Sequence, residues 1–183
     1  YCVVYEQPMF GIYKAKKANV LFVDEEAGKE EMAKRYQLVG FKNGVVIHTL
    51  TQQGIMIDDQ QSVDSLIEVI KEKNIGLVVF DPFTAIFGGE ENSARDISKV
   101  MRSFQKIISE TQATIIFIHH HRKDSKAYVN GTEQSMRGSS AIFGRIDSHI
   151  IITRRSQSDD EIIMAISQRK SRKGKGKVKN LIV

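Results

Sequence analysis

Residues 76–92, GLVVFDPFTAIFGGEEN, open on a short apolar run and turn it abruptly into an acid followed by proline. The run 76–81 (GLVVFD) is continuous rather than alternating. An apolar stretch of this length with no polar face predicts a strand buried on both sides, as in a parallel sheet covered by helices. Four more runs have the same character: 19–24 (NVLFVD), 45–50 (VVIHTL), 114–119 (TIIFIH) and 148–153 (SHIIIT). Helical spacing fills the gaps. In 93–111, Ile97, Val100, Met101, Phe104, Ile107 and Ile108 recur three and four apart, and Ser93 with Asp96 makes a capping pair at the start. Val63, Leu66, Ile67 and Ile70 mark a second amphipathic helix, and 28–39 reads as a third.

Strand and helix therefore alternate, which predicts an α/β domain with a doubly wound, mainly parallel sheet flanked by helices. The last part differs. Residues 148–155, 161–168 and 177–183 read as successive strands joined by the polar turns SQSDD and SRKGKG, an antiparallel C-terminal extension. The chain has 183 residues, enough for one domain with a core, and no internal repeat or long linker divides it.

Composition narrows the class. At 41% hydrophobic and 27% charged residues the chain is an ordinary globular sequence, and no apolar run nears the ~20 residues of a membrane span. No signal peptide is recognisable in YCVVYEQPMF, and Cys2 is the one cysteine, which excludes an intrachain disulfide and a Cys-rich zinc site. A reducing, cytoplasmic setting is the default expectation. Tyr1–Tyr5 reads as the tail of an element that begins earlier. The net charge of +5 is local: residues 169–179, RKSRKGKGKVK, hold seven of the 27 basic side chains and no acid. That cluster is either a solvated segment or a phosphate-binding hairpin.

In a parallel sheet, ligands gather beyond the carboxyl ends of the strands. The first run ends in Asp24-Glu25-Glu26, the third in Asp81-Pro82, the fourth in His119-His120-His121. Each has a plainer reading as a turn initiator, a helix N-terminal acid or a hydrogen-bonded strand end. The histidines do not make a zinc site, because successive strand residues alternate sides and no cysteine completes a set. Jointly, the polar ends fit nucleotide hydrolysis. A strand-end Asp holds the water shell of Mg²⁺, a neighbouring Glu activates a water, and a His at a third strand end senses the γ-phosphate.

The segments NVLFVDEE, GLVVFDPFTAIFGGEEN, IIFIHHHRK and MRGSSAIFGRIDSHIIITRR resemble, in order and spacing, the RecA-like P-loop ATPases. The nearest likeness is to the RepA-type replicative helicase branch, related to DnaB helicases and KaiC. The resemblance implies one RecA-like core domain over residues 1–183, ATP and Mg²⁺ as ligands, single-stranded nucleic acid (DNA foremost) as partner, and a homo-oligomer of the hexameric kind. It casts Asp81 as the Mg²⁺-associated acid and Glu26 as the catalytic Glu, with Glu25 its neighbouring alternative. His120 is the residue coupling phosphate state to the DNA loop, with Lys123 the nearby lysine. Arg137, Gly138, Ser139 and Ser140 match an R-G-S-S element closing that loop. Within the loop, Arg122, Lys123, Lys126, Tyr128 and Arg137 become nucleic-acid contacts, Tyr128 by stacking on a base. Residues 170–174, KSRKG, are similar to the K-x-R-x-G finger of DnaB-like hexamers, which makes Lys170 and Arg172 trans-acting on a neighbour's phosphates.

The sequence departs from the pattern twice. It contains no G-x-x-x-x-G-K-[ST] loop, the expected main phosphate grip, which the resemblance places upstream of Tyr1. Asp147 stands near a position where some RepA-type members carry an arginine finger. The leading expectation is the ATPase core of a helicase-type motor. A KaiC- or RadA-like regulatory ATPase that does not unwind, and a nucleic-acid-binding module with a decayed nucleotide site, are the alternatives.

Overall fold

The computed structural model describes residues 1–42, 47–119, 139–158, 162–172 and 181–182. The chain divides into two compact units, Tyr1–Gly138 and Ser139–Val183. The first begins with a short helix α1 (Cys2–Tyr5) and continues through β1 (Asn19–Asp24), α2 (Lys29–Val39), β2 (His48–Thr51), α3 (Gln60–Glu72), β3 (Ile75–Asp81), a 3-10 turn (Phe83–Ala85), α4 (Ala94–Thr111) and β4 (Thr114–Phe117). The four strands form one all-parallel sheet in the order β2-β1-β3-β4. This is the parallel, helix-flanked α/β architecture that the apolar runs predict.

The periodic helices bury the faces their spacing marks. On α3 these are Val63, Leu66, Ile67 and Ile70; on α4 they are Ile97, Val100, Met101, Phe104 and Ile107. Both helices start on a side-chain cap. Asp59 Oδ2 accepts from the Ser62 amide at 2.8 Å, and Ser93 Oγ accepts from the Asp96 amide at 3.2 Å, in each case satisfying an amide that lacks an intrahelical acceptor. Phe80 on β3 and Phe117 on β4 both pack on Phe104 of α4, with ring centroids 5.3 and 5.7 Å apart. Burying one such ring is worth about 1.5–3 kcal/mol, so this aromatic seam is a main reason why α4 lies against these strands.

In the first unit, two strand boundaries and the burial of β4 differ from the sequence expectation. The second strand runs over His48–Thr51 rather than 45–50, and residues 45–46 lie outside the described ones. The fourth pairs only through Phe117, because beyond it the Ile118 carbonyl turns to accept from the Phe83 amide at 2.7 Å. Nor is β4 buried on both faces: Ile116 and Ile118 are 48% and 38% exposed, whereas Val23 and Val78 in the neighbouring strands are fully buried. Among the described residues β4 pairs with β3 alone, which leaves it an edge.

The second unit consists of α5 (Ser139–Arg145) and three antiparallel strands, β5 (Ser148–Gln157), β6 (Ile162–Ser171) and β7 (Leu181–Ile182), in that spatial order. Among the described residues, Ile142, Ile151 and Ile166 are its buried apolar side chains. Among the described residues no helix is long and apolar enough to cross a membrane.

Candidate functional site

The parallel register brings three polar strand ends to one edge of the first sheet. Asp24 pairs with Thr51 on one side and with Asp81 on the other. The Glu25 amide donates to the Asp81 carbonyl at 3.0 Å, and the Ile118 amide donates to Phe80 at 2.9 Å. The ends of β1, β3 and β4 therefore form a continuous hydrogen-bonded shelf carrying Asp24, Glu25, Glu26, Asp81 and His119.

The acids on this shelf have different surroundings. Asp24 is fully buried, and its two oxygens accept from the amides of Ala27 at 3.0 Å and Gly28 at 2.8 Å. It folds the β1–α2 turn back on itself, as short acids do in turns. Gly28 completes that turn at φ 83°, a left-handed backbone that also brings its Cα close to the Gln52 side chain. The Asp24 charge is felt at Tyr36: burial chiefly pushes the Tyr36 phenol above its usual 10.0, the hydrogen bond with Thr49 (2.8 Å) opposes this, and the Asp24 carboxylate adds to the rise.

Glu25 is half-buried and points its carboxylate at the amides of Gly54 and Ile55, both at 3.1 Å. Two backbone donors on one carboxylate are a structural anchor for the loop after β2, not the setting of a base poised over water. Glu26 is exposed at the same turn, its carbonyl accepting from Gln52 Nε2 at 3.3 Å. Asp81 is half-buried at the end of β3, followed by a cis peptide bond to Pro82. Of the two glutamates, Glu26 is the exposed one.

The stretch after Asp81 forms an open depression of ≈ 540 Å³ lined by Thr84, Phe87, Gly89, Glu90, Glu91 and Asn92. Its backbone amides are already committed: Gly88 donates to Asp58 at 3.1 Å and Glu90 to Asp96 at 3.2 Å. Gly89 admits no side chain, since a Cβ there would stand 2.7 Å from that of Asp96. Sequence reading missed the roles of Asp24, Asp58 and Asp96. The one local signal was Gly28, four residues after Asp24.

Lys170 and Arg172 belong to the second unit, where both reach the carboxyl end of α5. Lys170 Nζ donates to the Phe143 carbonyl and lies 4.8 Å over the Phe143 ring. Arg172 Nη2 donates to the Gly144 carbonyl at 2.5 Å, its Nη1 lies 3.6 Å from Asp147, and its amide donates to the Asp147 carbonyl at 2.8 Å. Cations at the carboxyl end of a helix satisfy its unpaired carbonyls and complement its dipole. His120, Arg122, Lys123, Lys126, Tyr128 and Arg137 lie outside the described residues.

A family model for the AAA domain matches residues 1–126. The chain belongs to the AAA domain family. Its shelf of strand-end acids, all within the matched residues, is therefore the edge of a P-loop ATPase domain, and ATP with Mg²⁺ is the general ligand pair of such domains. Among the described residues no group of three His, Cys, Asp or Glu side chains could hold a metal by itself. The match stops short of Lys170 and Arg172. No curated protein matches the chain.

Proposed function

We propose that this AAA-type domain is the ATPase core of a helicase-type motor that couples ATP hydrolysis to movement on single-stranded nucleic acid, DNA foremost. The observation that carries the reading is the division of labour at the sheet edge. Asp24 and Glu25 accept from backbone amides, Glu26 is exposed in the same turn, and Asp81 is half-buried at the end of β3. Structural acids thus hold the turn, and the reading assigns the chemistry to Glu26 and Asp81.

Mg²⁺ bound with ATP would neutralise charge developing on the phosphates. Asp81 would help to hold that ion. Glu26 orients the attacking water and accepts its proton, a role that typically contributes about 10²–10⁴-fold to rate. His120 reports the phosphate state to the basic segment 121–137, whose Arg122, Lys123, Lys126 and Arg137 meet nucleic-acid phosphates while Tyr128 stacks on a base. In a homo-oligomeric ring, Lys170 and Arg172 of one subunit would leave α5 and reach the phosphates held by the next. The exposed Arg172–Asp147 pair, both side chains about half accessible, is weak enough to release.

The reading is tested by the ATPase rate of the intact protein with and without single-stranded DNA, alongside a strand-separation assay. Stimulation by DNA together with separation supports the motor. Steady hydrolysis that ignores DNA and separates nothing would replace it with a regulatory ATPase.

A further inference from the structure

Glu91 lies ten residues beyond Asp81 on a loop whose course is imposed by neighbouring carboxylates. Asp58 fixes Gly88, Asp96 fixes Glu90, and the contact of Gly89 with Asp96 leaves no room for a side chain between them. Because the Gly88 and Glu90 amides are occupied, this loop is not an anion cradle despite its paired glycines. It instead carries Glu91 inward, where the side chain is only 17% exposed and meets His119, 7% exposed, with Oε1 3.3 Å from Nε2. The contact is attractive when Nε2 carries a proton.

His119 closes a bracket around Asp81. Phe80 accepts from the Ile118 amide and Phe83 donates to the Ile118 carbonyl, so the residues flanking Asp81-Pro82 are both tied to Ile118. The next residue, His119, packs its ring 5.7 Å from that of Phe83. Holding His119 therefore holds Ile118, and Ile118 holds the backbone on either side of Asp81. A carboxylate and an imidazole this deeply buried stay in place only while paired, since either alone is costly to bury.

We infer that Glu91 is a positioning residue which, through His119, fixes the end of β4 against Asp81 and so sets the geometry of hydrolysis. This rests on the motor reading of the same edge. Glu91 touches neither nucleotide nor metal in this account; it acts through the imidazole.

The test uses the intact protein and two variants, Glu91→Gln, which keeps a hydrogen-bond acceptor, and Glu91→Ala, which keeps none. Steady-state ATPase kinetics are read together with the His119 imidazole ¹⁵N shifts and the amide signals of Asp81 and Ile118. Glu91→Ala is expected to lower kcat about 10- to 100-fold, the scale typical of residues that orient a reacting group from behind, with KM for ATP within about 3-fold. Glu91→Gln is expected to recover most of that loss. Both should move the His119 shifts, and Glu91→Ala the Asp81 and Ile118 amides as well. Unchanged kcat per folded molecule in both variants, or His119 shifts that ignore Glu91, would overturn the inference. A wild-type protein without ATPase activity would instead remove the motor reading. The imidazole and amide signals would then decide on their own whether Glu91 positions the end of β4.

Discussion

Asp24 and Asp81 lie in register on adjacent parallel strands, and Asp24 is fully buried with both oxygens on the amides of Ala27 and Gly28, whereas Asp81 is half-buried. In the proposed reading the two acids have separate tasks, Asp24 building the turn that carries Glu26 and Asp81 meeting the ligand. That separation is set by local backbone amides rather than by distance from the edge.

Asp24→Asn should cost stability rather than specific chemistry. It replaces one accepting oxygen with an amide group turned toward a backbone donor, leaving a buried donor unsatisfied at about 1–3 kcal/mol. Urea unfolding should show a lower midpoint with an unchanged slope. An unchanged midpoint would mean that the Ala27 and Gly28 amides find other acceptors.

Gly89→Ala should strain the loop after Asp81, because the new methyl would sit 2.7 Å from Asp96 Cβ and 2.9 Å from its Cγ. Overpacking of this kind costs about 1–3 kcal/mol. Truncating Asp96 to Ala in the same protein should relieve part of that cost, a non-additivity that a double-mutant cycle in urea detects.

Truncating Lys170 or Arg172 should in each case lower ATPase activity in the oligomer, and the two should differ in the stability they cost. Lys170→Ala removes a half-buried cap and its stacking on Phe143, a stability loss of about 1–2 kcal/mol. Arg172→Ala removes an exposed pair worth about 0.5 kcal/mol but is expected to abolish ATPase activity in the oligomer. Mixing it with an Asp81→Ala partner should restore some activity, since each mixed interface can combine one intact acid with one intact arginine. No recovery in mixtures would remove the trans role.

Acidification should unfasten α3 at its start. Backbone hydrogen bonding from Ser62, the largest cause, holds the Asp59 carboxyl below its usual 3.8. A depressed folded value means that the cap contributes fully above the unfolded value and is lost as pH falls through the lower folded one. The difference in urea midpoint between wild type and Asp59→Ala should accordingly be constant above about pH 5 and shrink toward zero near pH 2.

Short-range features were legible in the sequence. The run 19–24 is β1 to the residue, and the Ser93 cap and the spacing of α4 hold except at Ile108, which is 41% exposed. Hydrophobic period and capping are local properties, visible in a window of a few residues. What was hidden depends on register between distant segments. Glu25 finds its amides 29 and 30 residues away, Lys170 finds its carbonyl 27 residues away, and the end of β4 is set by Phe83. Glu25 and Glu26 look alike in the sequence, and the loop after β2 is what distinguishes them.

The central claim is that Glu26 is the catalytic base and Glu25 its structural neighbour. The most direct measurement is ATP affinity by calorimetry and ATP turnover by phosphate release for Glu26→Gln and Glu25→Gln in the intact protein. Glu26→Gln should bind ATP within about 3-fold of wild type while turnover falls about 10²–10⁴-fold, and Glu25→Gln should lose stability but keep turnover within about 10-fold. Wild-type turnover in Glu26→Gln would contradict the account.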